Sequence, residues 1–124
     1  MAASVKIRGD VSQVVADLQA ARDHTLGLVA PLADRDLERQ IDPIMSPLVW
    51  DLAHIAAYED LWLVHRHAGQ PLLRADLAAK YDAFETPRPM RTDVELLDVA
   101  ACHHYLDRAR ERALDVLATA DLGA

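Results

Sequence analysis

A single cysteine, Cys102, leaves no internal disulfide open to this chain, and its start carries no secretory pattern, so a reducing, cytoplasmic setting is expected. Four scattered glycines build no phosphate-cradling loop, and there is neither a Cys-x-x-Cys pair nor a nucleophile elbow. The longest apolar stretches are broken by Asp51, His54, Glu59 and Asp60, which leaves none with the length or purity of a membrane span. Thirteen basic and twenty acidic residues give a net charge of -7 with no long run of either sign. Neither nucleic acid nor a membrane is therefore an expected partner, and the acidity serves solubility.

The chain has 124 residues, the size of one domain, and can bury a core without disulfides or a structural metal. From Val11 the positions Val14, Leu18, Ala21, Thr25, Leu28 and Leu32 step by three and four, the stripe of an amphipathic helix. Asp10 is its expected N-cap, Pro31 marks its end, and Asp17, Arg22 and Asp23 fall on the solvated face. Residues 33–45 are polar and turn-rich, with one helical turn expected over 34–39. Ser46-Pro47 then supplies a capping hydroxyl and a first-turn proline for a helix over 47–68, with Gly69 as terminator. Leu48, Leu52, Ile55, Tyr58 and Trp62 make one apolar face of this second helix, and Trp50, His54, Ala57, Leu61 and Val64 another, so it should lie deep.

A long connection over 70–91 holds a short helical patch at 74–81 and the extended Thr86-Pro87-Arg88-Pro89 run. Val99, Cys102, Leu106, Ala109, Ala113 and Val116 mark a last helix, capped by Thr92, with Glu95 completing a capping box, or by Asp98. Cys102 then reads as a small core residue. No strand alternation and no internal repeat appear. The expected class is all-α, a single domain over 1–124 with three long helices, one short of a four-helix bundle.

Six histidines invite a metal reading, since imidazole suits zinc and iron(II) and a bundle can aim ligands inward. None of His24, His54, His65, His67, His103 and His104 stands four residues from another, and on a helix His65 and His67 diverge by about 200 degrees, so no pair chelates by itself. His54 differs because its neighbours Leu52, Ala53, Ile55, Ala56 and Ala57 are apolar: a buried imidazole there needs a carbonyl, a water, a carboxylate or a metal. Arg88 and Arg91 flank Pro89 and Met90 closely enough to clamp one carboxylate, unless they are only a solvated basic loop. Tyr81 and Phe84 read as anchors of that loop. Asp107, Glu111 and Asp115 interleave with Arg108, Arg110 and Arg112 as an exposed, ion-paired face.

The run from Met45 through Ser-Pro-Leu-Val-Trp-Asp-Leu-Ala-His54-Ile-Ala-Ala-Tyr-Glu-Asp-Leu-Trp-Leu-Val resembles, nearly residue for residue, the second helix of the N-terminal DinB-like domain in the sulfoxide synthases (hercynine oxygenases) of ergothioneine biosynthesis. The likeness continues through Tyr81-Asp-Ala-Phe and Pro87-Arg-x-x-Arg91 into the last helix, and includes Leu32-x-Asp-x-Asp-Leu. It implies a DinB-like up-down bundle and an enzyme that uses iron(II), held by three histidines, with oxygen to join the sulfur of γ-glutamylcysteine or cysteine to hercynine. His54 is the iron ligand it implies, and Arg88 and Arg91 the pair that receives a substrate carboxylate. The family's other two iron ligands lie in a downstream His-Glu-Gln-Gln-His motif that does not occur in the chain, nor does the family's C-terminal domain. The expectation is thus an N-terminal portion, inactive alone. Two alternatives stand beside it: a stand-alone module that dimerises or borrows its missing helix from a partner chain, and a different DinB-like metal- or thiol-dependent enzyme whose site is completed by His103 or His104.

Overall fold

The computed structural model describes residues 11–42, 44–83, 85–87, 90–91 and 95–120. All regular structure among them is helical: α1 (Val11–Val29), α2 (Asp34–Leu37), α3 (Leu48–Glu59), α4 (Ala75–Lys80) and α5 (Val99–Ala118). The helix α3 runs on into wider π-helical turns over Asp60–His67, so the second long rod changes its pitch partway. The three expected rods and both short helices are present. No helix among the described residues is long and apolar enough to cross a membrane.

The core is α3 against α5. Val49, Trp50, Leu52, Ala53, Ala56 and Ala57 of α3 meet Cys102, Tyr105, Leu106 and Ala109 of α5, with Leu77 and Tyr81 closing one side. Small residues at 53, 56, 57, 109 and 113 let the two rods approach closely, because ridges without bulk sit deep in the opposing grooves. The expected α5 stripe is buried throughout, Cys102 included. The Cys102 thiol donates to the Val49 carbonyl at 3.4 Å, and burial pushes its pKa up to about 12, which keeps it an inert thiol.

Helix ends follow their local chemistry. Asp98 caps α5 by accepting the Ala101 N–H at 2.7 Å, which settles the choice of cap in its favour; Thr92 lies outside the described residues, as does Asp10. Glu38, just after α2, accepts the Val99 N–H at 3.3 Å and covers a second open donor of the same helix end. Gly69 sits at φ 71 and turns the chain out of the π stretch, where an L side chain would be strained. Ser46 is not a cap. Pro47 holds the cap position with extended backbone and no side-chain bond, and the Ser46 hydroxyl is instead taken by Arg91.

The inner face of α1 departs from the expected stripe. Its one buried side chain is Arg22, whereas Ala21 is exposed and Leu28 is 64 % exposed. The buried side runs through Leu18, Arg22, Leu26 and Val29, one position on from the expected stripe after Leu18. A charged residue can take that place because Glu59 meets it. Arg22 donates to Glu59 at 3.1 Å, and Arg110 of α5 grips the same carboxylate at 2.8 and 3.0 Å. Arg110 therefore leaves the exposed ion-paired face on which the periodicity placed it, while Asp107, Glu111 and Asp115 do stay exposed there. One carboxylate thus ties the three long helices together. A second buried carboxylate, Asp60, accepts the Leu73 N–H through both oxygens at 2.9 and 3.0 Å, fastening the start of the long connection to the π stretch.

Candidate metal centre

His54 stands on α3 between Trp50 and Tyr58, four residues away on either side, and this spacing stacks all three rings along one edge of the helix. Trp50 lies nearly parallel to the imidazole, with centroids 4.9 Å apart and planes at 14°, and Tyr58 tilts against it at 4.1 Å. Tyr58 belongs with His54, not with the opposite apolar face where the helical pattern put it. Trp62 is also corrected: it is 52 % exposed, with the Arg66 guanidinium 5.5 Å over its ring.

The imidazole is held by the residue at the end of α4. Its Nδ1 lies 2.6 Å from the Tyr81 carbonyl oxygen. A carbonyl has no proton to give, so Nδ1 carries the hydrogen and donates, and in the neutral ring Nε2 keeps its lone pair. No hydrogen bond to Nε2 forms among the described residues. Backbone bonding of one ring nitrogen, with the other left as a lone pair, is the usual way a protein orients a metal-binding histidine. Tyr81 is itself immobilised, fully buried and accepting the Leu97 N–H on its hydroxyl at 2.8 Å. Burial raises its phenol to about 12. Tyr81 thus anchors the loop as its sequence suggested, and it also sets the tautomer of His54, which the sequence did not disclose.

Arg91 arrives from the far side of the long connection. It is buried; its Nε donates to the Thr86 carbonyl at 3.0 Å and one terminal nitrogen donates to Ser46 at 2.8 Å. Its guanidinium carbon lies 3.6 Å from the centre of the Trp50 ring, a cation–π contact. Trp50 therefore touches both residues that the sequence marked, Arg91 and His54. Arg88 and Phe84 lie outside the described residues. The other histidines stay apart: His103 and His104 are on α5, and His65 spends its Nδ1 on the Gln70 carbonyl at 2.9 Å.

Iron(II), the cofactor implied by the resemblance, can be weighed against these donors. His54 fits one coordination position, with its free nitrogen and fixed ring. Among the described residues no group of three His, Cys, Asp or Glu side chains could hold a metal ion. These residues do not assemble a facial triad of ligands.

The helical bundle with one oriented histidine on its second rod has clear relatives. The pattern of the DinB superfamily matches residues 17–124, and the chain belongs to that superfamily. Three curated proteins named hercynine oxygenase are similar over nearly the same stretch. The protein of Mycobacterium tuberculosis is 46% identical over 108 residues, 86% of this chain and 25% of its own length. That of Mycolicibacterium smegmatis is 43% identical over 107 residues, 83% of this chain and 24% of its own. That of Mycolicibacterium thermoresistibile is 42% identical over 110 residues, 86% and 24% respectively. The chain spans about a quarter of the length of these relatives, matching their N-terminal part.

Proposed function

We propose that the chain is the DinB-like portion of an iron(II)-dependent sulfoxide synthase of the hercynine oxygenase kind, acting on hercynine and a thiol, γ-glutamylcysteine or cysteine. His54 supplies one iron ligand through Nε2, and Arg91 with Arg88 receives a carboxylate of the thiol. The observation that carries this reading is the His54–Tyr81 bond, which fixes the tautomer with a lone pair on Nε2. The similarity to hercynine oxygenases supports the reaction class. With one ligand in place the chain holds iron weakly and is inactive by itself.

Anaerobic titration of iron(II) into the purified chain, followed by calorimetry with His54→Ala alongside, tests it. The expected result is weak binding that the substitution removes. Binding indifferent to the substitution overturns His54 as a ligand. Tight one-to-one binding lost in His54→Ala would mean the other ligands come from within the chain, and a separate DinB-like metalloenzyme becomes the better reading.

Association with more protein is a second reading, favoured by apolar side chains left in water: Leu28 at 64 %, Ile41 at 54 % and Ile44 at 73 % exposure. Sedimentation equilibrium tests it, since a monomer at all concentrations would exclude self-association.

A further inference from the structure

We propose that a cavity of about 260 Å³ between the long connection and the outer face of α5 binds a small monocarboxylate with a short apolar body. It is a different place from the His54 stack: none of its lining residues is Arg91, Trp50, His54 or Tyr58.

Its floor is apolar, made by Leu73, Leu77, Leu97, Ala101 and the Tyr105 ring. The remaining lining residues are Arg74, His104 and Arg108, so every ionisable side chain on the rim is a base, in a protein whose net charge is -7. An apolar floor under a basic rim selects an anion with a hydrophobic part, because the body gains by leaving water while the charged end stays at the mouth. Both arginines keep capacity for such an end. Asp76 takes only Nε and one terminal nitrogen of Arg74, at 3.0 and 2.7 Å, out of five N–H groups. Arg108 meets Glu111 at 3.6 Å through Nε, a loose contact on the surface.

The Tyr105 hydroxyl is buried and has no hydrogen-bond partner among the described residues, in a side chain only 4 % exposed. Burial raises its pKa, the nearby Asp60 and Asp76 carboxylates add to the rise and Arg74 opposes part of it, so it stays an O–H. That hydroxyl lies behind the floor, out of reach of a water in the cavity, so the Tyr105 ring and not its O–H faces the ligand. The volume has room for an anion of the size of benzoate or hexanoate.

Benzoate titrated into the ¹⁵N-labelled chain, with neutral benzamide as control, provides the test. Benzoate is expected to shift the amide signals of Leu73, Ala101 and Tyr105 with a Kd of about 1 mM or tighter, leaving Val14 on α1 unmoved. Tyr105→Phe, which keeps the ring, should leave benzoate affinity within about twofold. Because that buried variant could perturb folding, Arg74→Gln with Arg108→Gln, both at exposed positions, is the second arm, and it must weaken benzoate while sparing benzamide. No shifts, equal shifts with benzamide, or shifts that survive a cavity-filling Ala101→Leu substitution would each overturn the proposal.

Discussion

Two polar groupings cross the interior, and they are built on opposite terms. Around Glu59 the charges are closed on one another: two guanidiniums share one carboxylate, Arg22 also reaches the Leu106 carbonyl at 3.4 Å, and all three side chains are nearly buried. Around Trp50 the contacts are faces of rings, and polar capacity is left over. The Trp50 indole N–H is buried without a partner among the described residues, and His54 holds an unbonded Nε2. The first grouping is arranged for cohesion. The second keeps atoms in reserve on Trp50 and His54, because a group left unsatisfied within the protein still has a bond to offer a ligand.

Breaking the first grouping should give the largest effect. Glu59→Gln leaves two buried guanidiniums facing each other, and is expected to lower stability by about 3–5 kcal/mol in urea denaturation. Alkali acts on buried neutral groups outside the Glu59 cluster. Cys102 and Tyr81 both titrate near 12 in the folded chain, against ordinary values of 9.0 and 10.0. Both are raised, so their contribution is complete below pH 9 and is lost as pH climbs towards 12. Denaturation midpoints should be flat up to about pH 9 and fall above it, with a shallower fall in Cys102→Ala.

Smaller effects sharpen the contrast. Trp50→Phe removes the orphaned donor while keeping a ring, and its cost should stay below about 1.5 kcal/mol because the relieved N–H offsets part of the lost packing. His54→Ala forfeits one hydrogen bond at a half-buried site and should cost only about 1 kcal/mol. A loss for His54→Ala as large as that for Glu59→Gln would show that the imidazole is a structural member of the core and not a reserved one.

The rods were legible because each has punctuation: Pro31, Ser46-Pro47, Gly69 and Asp98 lie at their ends, and steps of three and four fill the last of them. The face of α1 was not, since periodicity counts apolar residues and Arg22 is inward only by virtue of a carboxylate on another helix. Arg110 turns inward for the same reason. The π stretch left no trace either, because apolar spacing is hardly changed when a few turns widen. His54 could be singled out from its apolar neighbours, and the four-residue steps Trp50, His54, Tyr58 were there to be read. The Tyr81 carbonyl was not, as backbone atoms have no signature in sequence.

The Asp60 clasp bears on how the long connection breathes. A segment joining two helices ordinarily opens by itself, at little cost. Here its first residues are fastened to a fully buried carboxylate on the preceding rod. Exchange of the Leu73 amide with heavy water then requires undoing part of the rod, and its protection should track that of α3 and not that of the exposed chain around Gln70.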